Sequence, residues 1–355
     1  MSYDSCPYNN FPKKSFWHKS IKLKETTRLR LEVNPKFKIN KNSKIATAGS
    51  CFAQNLTYFL SNNGLNILSL ENVPNVIETN LAKQYGYKTF SARYGNIYTS
   101  RQLIQLLKRS LGIFKPKDDI WKDSDGNFYD AFRPSLNPKG WSNINEFYAD
   151  RKKHLETFKN LIISSDIFVF TLGLTEGWQL KKDGSFYPIC PGCGYGTFSS
   201  SKHEFVNLRV NEIVEDLQGF IDIATEINPS LKFILSVSPV PLIATATNEH
   251  IFIANNFSKS TLRVAADEIT RLNKNVEYFP SYEMIISNKI EFFEDDLRSV
   301  SLKGINHVMN EFMENFTVLK YKKEILDDKK NSNIEHLYTD VICDEENLIE
   351  GLNQR

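Results

Sequence analysis

The segment that most constrains the fold is residues 44–56, KIATAGSCFAQNL, in which a strand-like run passes directly into a helix-like run. Its first part is apolar and short enough for a buried strand, Gly49-Ser50 marks a tight turn, and Phe52, Leu56 and Phe59 then recur at helical spacing. In open α/β sheets, ligands bind beyond the carboxyl ends of the strands. The segment therefore predicts a strand, a turn and a helix, with the hydroxyl of Ser50 at a sheet edge.

Two interpretations of this turn stay open at the level of the sequence. Ser50 is suited to be a nucleophile with its own oxyanion donor beside it, because N–H groups at a helix start favour negative charge. It is equally suited to be a plain N-cap, which is the commoner role of Gly-Ser before a helix. Cys51 is either an alternative nucleophile at the same helix start or a small buried apolar residue.

Composition excludes several classes of protein. With 41% hydrophobic and 24% charged residues the chain is typical of a soluble globular protein, and a net charge of +2 gives no field that would attract nucleic acid. No apolar run approaches the roughly 20 residues that a membrane helix needs, and residues 1–14 lack the apolar core of a signal peptide. Five scattered cysteines fit a reducing compartment. We therefore predict a cytoplasmic protein with no membrane span.

The order of elements predicts a parallel sheet. A second strand is predicted over 65–70, and the β-α-β order at this early point favours parallel strands joined by helices. Further strands are predicted over 166–171, 231–237 and 276–279, a hairpin over 178–189, and helices over 101–110, 145–164, 207–227, 251–272 and 301–316. We expect an irregular arm over 1–43, one domain over 44–316 with an aromatic-rich insertion or lid at about 112–143, and a polar tail over 317–355.

Polar residues follow the predicted strands at Ser50, Gly173 and Ser238, and we expect them to meet at one edge of the sheet, close to the acidic loop at Asp296. A nucleophilic serine needs a base, and His250 follows the Ser238 turn, so it is the candidate. Asp296 would orient a base or hold a cation, or it lies in a solvated loop.

Two further motifs bear on metal and substrate binding. Cys190-x-x-Cys193 has the spacing of half a zinc site, but no second pair exists and the intervening Pro-Gly suits a tight turn, so we predict no metal. Arg133, in the predicted insertion, either contacts substrate or is a surface arginine.

Several longer strings carry a resemblance to a known family. The string Ala48-Gly49-Ser50-Cys51-Phe52-Ala53 resembles the GSCFA family, which is named for it. Further matching strings follow in family order: 94–99 (YGNIYT), 170–176 (FTLGLTE), 236–242 (SVSPVPL), 258–263 (SKSTLR) and 278–283 (YFPSYE). Together they cover roughly residues 44–316.

The family is similar to SGNH/GDSL hydrolases, which implies a three-layer α/β/α, flavodoxin-like domain built on a parallel sheet with a serine nucleophile. Under this resemblance Ser50 matches the nucleophile, Gly95 (with Asn96 adjacent) the glycine of the second block, Gly173 that of the third, and Asp296 the aspartate of a C-terminal Asp-x-x-His.

The sequence departs from that pattern at two positions. Thr175 stands where the superfamily has its oxyanion asparagine, and Ser299 stands where the base histidine is expected. The resemblance therefore implies Ser50 as nucleophile and Asp296 as a further catalytic candidate. His250, the candidate base from its place after the Ser238 turn, would replace the missing histidine. The candidate oxyanion and substrate contacts are Gly95, Asn96, Gly173, Thr175, Glu176 and Arg133.

The implied function is a serine-dependent acyl-ester hydrolase or O-acyltransferase acting on a carbohydrate or another acylated small molecule, in the setting of polysaccharide biosynthesis. A hydrolase would need no cofactor, whereas a transferase would use an acyl donor such as acetyl-CoA. The alternative is a catalytically silent glycan- or partner-binding module on the same scaffold, which the missing Asp-x-x-His favours.

Overall fold

A computed structural model describes residues 6–21, 31, 33–74 and 77–319. The strands are β1 (Ile45–Gly49), β2 (Ile120–Lys122), β3 (Phe128–Asp130), β4 (Ile167–Leu172), β5 (Glu176–Leu180), β6 (Phe186–Tyr187), β7 (His203–Asn207), β8 (Lys232–Val237) and β9 (Val276–Phe279). The helices are α1 (Trp17–Ser20), α2 (Cys51–Asn62), α3 (Thr79–Ala82), α4 (Ser100–Ser110), α5 (Ile144–Ser164), α6 (Val210–Ile227), α7 (Ile251–Leu272), α8 (Ser281–Ile286), α9 (Lys289–Phe292) and α10 (Leu302–Phe316).

The central sheet consists of four parallel strands in the order β1-β4-β8-β9. On the outer side of β1 the predicted second strand is reduced to a single parallel bridge between Ile45 and Ile67. Two backbone hydrogen bonds make this bridge: Ile45 N–H donates to Asn66 O at 2.9 Å, and Leu68 N–H donates to Ile45 O at 2.8 Å. The chain thus leaves β1 to one side and returns as β4 on the other, so the order of the strands reverses at β1.

Side chains alternate between two hydrophobic cores along each central strand. In β4, Phe168 and Phe170 pack into the core that α4, α5, α6 and α7 cover, whereas Ile167 and Val169 face the core that α2 and α10 cover. A strand buried on both faces reads as a continuous apolar run, which is the sequence signature of β4. The three-layer α/β/α fold and its parallel sheet, both predicted from the sequence, are therefore confirmed.

The predicted insertion forms an antiparallel hairpin, β2-β3, that packs beside a second small sheet of order β6-β5-β7. Trp121 and Tyr129 of the hairpin are buried with Leu180, Tyr187 and Ile189 in a separate apolar cluster. These two aromatic side chains are therefore core residues. Strand β7 lies within a region that the sequence pattern did not assign to a strand.

An ion-pair network anchors this hairpin to α5. The buried carboxylate of Asp130 lies 3.0 Å from Arg133 Nε, 3.4 Å from Arg151 Nη2 and 3.9 Å from Arg109 Nη2. Burial by itself would raise the pKa of Asp130, but the three guanidinium groups hold it well below its usual range.

Residues before β1 also contact the body of the protein. Lys36 Nζ donates to the backbone oxygens of Thr270, Asn273 and Val276, and Ile39 bridges to Thr317. Most of the predicted polar tail, residues 320–355, lies outside the described residues. Among the helices that the structure describes, none has the length and apolar character needed to cross a membrane.

Candidate active site at the carboxyl edge of the sheet

Ser50 occupies the N-cap position of α2, directly after β1, but its side chain does not cap the helix. The residue is 2% exposed, and its hydroxyl is buried with no hydrogen-bond partner among the residues that the structure describes. A buried hydroxyl without a partner loses its bonds to water, at a cost of about 1–3 kcal/mol. The simple capping role is thus absent, and the hydroxyl remains available for another bond.

The position of Ser50 follows from the strand order. Gly49 pairs with Thr171 in the ladder between β1 and β4, and Ser50 N–H donates to Thr171 O at 3.2 Å. Since the strand order reverses at β1, the crevice between the carboxyl ends of β1 and β4 is a topological switch point, where open α/β sheets bind their ligands. Ser50 therefore lies where the fold places a ligand site.

Two glycines allow the chain to approach closely here. A Cβ on Gly173 would lie 3.0 Å from Ser50 Cβ and 3.3 Å from Tyr98 O. A Cβ on Gly49, whose φ is +144°, would lie 2.6 Å from Thr171 O. Only glycine fits without displacement at these positions, so the two strand ends meet at the Ser50 side chain.

Most of the backbone N–H groups at this edge are already hydrogen-bonded. Gly173 and Leu174 both donate to Tyr98 O, at 2.8 and 3.0 Å, and Thr175 N–H donates to Ser258 Oγ at 3.2 Å. The hydroxyl of Thr175, in contrast, is buried and has no partner within the described part of the chain. Among Gly173, Leu174 and Thr175, the Thr175 hydroxyl is therefore a donor that no described residue engages.

Gly95 and Asn96 lie in the segment that crosses the end of β1. Ile97 N–H donates to Gly49 O at 2.9 Å, Gly95 adopts φ +68°, and Asn96 Oδ1 accepts from Gln54 Nε2 of α2 at 2.9 Å. Gln54, Gly95 and Asn96 line a small cavity of about 30 Å³, which has room for at least one water molecule. The two residues predicted from the sequence thus lie beside the helix that begins after Ser50.

Lys259 is the residue of this edge that sequence reasoning missed. It lies on α7, is fully buried at 0% exposure, and its Nζ donates to Gly173 O at 2.8 Å. The sequence did contain a signal. Leu262 and Ala266 follow at helical spacing and are buried in the core, so Lys259 falls on the apolar face of an amphipathic helix, where a lysine is unusual.

His250 and Asp296 lie in other surroundings. His250 is exposed at the N-cap of α7, where its Nδ1 accepts from Phe252 N–H at 3.2 Å. Asp296 is exposed on the loop between α9 and α10, and it accepts from Ser299 Oγ at 2.6 Å and from Arg298 N–H at 2.8 Å. No hydrogen bond joins either side chain to Ser50 within the described residues.

The two remaining charged candidates have internal partners. Arg133 is buried, and besides Asp130 its guanidinium donates to Asp150 at 2.9 Å and to Arg93 O at 3.2 Å. Glu176 opens β5 and accepts from Thr245 Oγ1 at 2.7 Å, which holds the loop between β8 and α7. Burial raises the pKa of Glu176.

The cysteines form no metal site in the part of the chain that is described. Cys51 is buried, Cys190 and Cys193 are half-buried, and none of the three forms a disulfide within the described residues. No group of three or more His, Cys, Asp or Glu side chains with the arrangement of a metal site occurs within the described ranges.

The fold and the site together define a three-layer α/β/α protein with a buried serine at the switch point of its sheet. The chain belongs to the GSCFA family, whose family model matches residues 44–312. The membership predicted from the sequence strings is thereby confirmed.

Comparison with solved structures gives distant similarities. A carbohydrate esterase family 3 protein from Talaromyces cellulolyticus is 9% identical, with 76% of this chain and 94% of that chain covered and a TM-score of 0.35. A family 3 carbohydrate esterase from Clostridium thermocellum is 11% identical, covering 78% and 94%, with a TM-score of 0.30. An acetyl xylan esterase from the rumen bacterium Butyrivibrio proteoclasticus is 11% identical, covering 80% and 64%, with a TM-score of 0.31. A comparison with curated proteins gives no match.

Proposed function

We propose that this protein is a serine-dependent acyl-ester hydrolase or O-acyltransferase that uses Ser50 as its nucleophile on an acylated carbohydrate. One observation carries the proposal: the Ser50 hydroxyl is buried without a partner at the switch point of the sheet and at the start of α2. A hydroxyl held there can attack a bound carbonyl, and the N-terminus of the helix favours the negative charge that develops.

The reaction begins when Ser50 Oγ attacks the ester carbonyl carbon and loses its proton to a base. The resulting oxyanion accepts a hydrogen bond from the free hydroxyl of Thr175, with Gly95 and Asn96 as the other candidate donors. Collapse of this intermediate releases the alcohol and leaves an acyl group on Ser50. Water, or a second sugar hydroxyl in a transferase, then takes the acyl group and regenerates the serine.

The enclosure of Ser50 favours a small acyl group. Because the residue is 2% exposed, a short acyl group such as acetyl needs less space to be made around its hydroxyl than a long chain would. The carbohydrate part of the substrate follows from the family resemblance and is the part that a substrate panel must test.

The test is labelling with a small alkyl fluorophosphonate, followed by mass spectrometry of the modified peptide. We expect an adduct on Ser50 and turnover of acetylated sugars or aryl acetates, and both should be lost in Ser50→Ala. Cys51→Ala, at the adjacent residue, is the matched control, and it should retain labelling and turnover. Turnover that rises when a sugar acceptor is added would select the transferase over the hydrolase.

Two results would overturn the proposal. Equal turnover by Ser50→Ala would remove Ser50 from the chemistry. A folded wild-type protein with neither an adduct nor turnover, but with measurable glycan binding, would instead support the silent binding module.

A further inference from the structure

We propose that Lys259 is the general base that activates Ser50, an inference that rests on the proposed function. Gly173 contacts both residues. Its carbonyl oxygen accepts from Lys259 Nζ at 2.8 Å, and a Cβ on it would lie 3.0 Å from Ser50 Cβ. The amine of Lys259 and the side chain of Ser50 therefore both adjoin the same glycine at the carboxyl end of β4, with no hydrogen bond between Lys259 and the Ser50 hydroxyl in this structure.

The surroundings of Lys259 favour a neutral amine, the form of lysine that can accept a proton. The side chain is fully buried, and removal from water favours the neutral form of lysine over the ammonium ion. A neutral amine has two N–H donors and one lone pair. One N–H satisfies Gly173 O, which fixes the nitrogen, and the lone pair can accept the proton of a serine hydroxyl.

The packing of α7 against the sheet fixes the position of this amine. Lys259 belongs to a helix of 22 residues that packs on β8 and β9 through Leu262, Ala265 and Ala266. The preceding residue, Ser258, accepts from Thr175 N–H at 3.2 Å, so neighbouring residues of α7 hold both Gly173 and Thr175. A base held in this way keeps a fixed position relative to the Gly173–Thr175 turn beside Ser50.

The proton balance closes without a cofactor. The neutral amine of Lys259 takes the proton of Ser50 as Oγ bonds to the carbonyl carbon. The ammonium then gives that proton to the departing alkoxide when the ester C–O bond breaks, which leaves the acyl-serine and a neutral amine. In the second half, the amine takes a proton from water, hydroxide bonds to the acyl carbon, and the proton passes to the departing Ser50 oxygen as the carboxylic acid forms.

This assignment explains how the site functions without the Asp-x-x-His pattern. Ser299, at the histidine position, donates to Asp296 in an exposed loop, and His250 is an exposed helix cap. Lys259 comes from a different element and reaches the site from the α7 side of the sheet.

The experiment compares three variants on p-nitrophenyl acetate and on an acetylated sugar. Lys259→Met keeps the length and apolar stem but removes the amine, and we expect kcat to fall by about 10²–10⁴-fold. Lys259→Arg keeps a donor for Gly173 O, but its guanidinium stays protonated and cannot accept the serine proton, so we expect a comparable loss. Lys232→Met, at the exposed amino end of β8, is the matched lysine control and should retain wild-type turnover.

Chemical rescue separates a base from a structural role. We expect small primary amines such as methylamine to restore turnover in Lys259→Ala in a concentration-dependent manner, without changing its melting temperature. Full activity in Lys259→Arg, or no rescue of a folded Lys259→Ala by amines, would show that the amine only supports the turn. Loss in His250→Ala together with full activity in Lys259→Met would transfer the role to His250.

The labelling of Ser50 distinguishes the two proposals. If the wild-type protein forms no Ser50 adduct and turns over no ester, the proposed function itself is wrong. If wild-type turnover depends on Ser50 while Lys259→Met is as active as the wild type, only the role of Lys259 is wrong.

Discussion

Gly173 approaches Ser50 so closely that a single added methyl group would lie 3.0 Å from Ser50 Cβ. It would also lie 3.3 Å from both Cδ1 and the carbonyl oxygen of Tyr98, so it has nowhere to move. We therefore expect Gly173→Ala to displace the Ser50 side chain and to lower kcat at least tenfold. Overpacking of this kind costs about 1–3 kcal/mol of stability, which denaturant unfolding would measure.

Gly219→Ala is the control for this substitution. Gly219 lies within α6, and an added Cβ would meet only Ile104 Cδ1, at an ordinary 3.8 Å. Alanine is the better helix former by about 1 kcal/mol, so this variant should be more stable with unchanged turnover. Equal activity in both alanine variants would contradict the close contact between Gly173 and Ser50.

Removal of the Thr175 hydroxyl should lower activity without lowering stability. Thr175→Val preserves the shape of the side chain but removes a buried hydroxyl that has no partner in the described structure. Because loss of one oxyanion donor costs about 10²–10³ in kcat, we expect a fall of that order. The melting temperature should stay level or rise, since an unsatisfied polar group is removed.

Thr317→Val is the control, and we expect it to lower stability without lowering activity. The buried Thr317 hydroxyl donates to Met313 O at 2.7 Å at the end of α10. This variant should lose stability while its turnover is unchanged. A Thr175→Val protein that loses stability but keeps full turnover would show that its hydroxyl has only a structural role.

The buried pair Glu71 and His154 predicts sensitivity to acid. Burial alone would raise the pKa of Glu71, but a hydrogen bond from His154 at 3.0 Å, the charges of His154 and Arg133, and the Arg93 N–H lower it from 4.5 to about 2. The unfolded chain therefore takes up this proton at a higher pH than the folded protein does. As the pH falls from 4.5 to 2, the free energy of unfolding should decrease by about 3 kcal/mol.

Urea unfolding at several pH values measures this dependence. Glu71→Gln should be less stable than the wild type near pH 6, and its free energy of unfolding should vary less over the acid range. Glu146→Gln, an exposed change at the start of α5, should retain the wild-type slope. A wild-type slope in Glu71→Gln would show that other carboxylates, such as Asp130, account for the acid sensitivity.

Much of the fold could be predicted because the relevant signals are local. The apolar runs that became β4, β8 and β9, and the helical spacing that became α5 and α7, are patterns within one segment. The predicted second strand forms only one bridge, at Ile67. A strand at the edge of a sheet pairs with one neighbour, here β1, and the hydrogen bonds to β1 set its length. Strand β7 was missed because its pairing partner, β5, and not its own sequence pattern, makes it a strand.

The sequence by itself determined that Ser50 would stand after a strand and before a helix, because a tight glycine turn and two hydrophobic periods within thirteen residues allow little else. Only the tertiary structure decided what surrounds that serine. Gly173 and Lys259 are 86 residues apart in the chain, yet they form one hydrogen bond beside Ser50. That contact depends on the strand order and on how α7 packs against the sheet, and no single segment of the sequence specifies either of them.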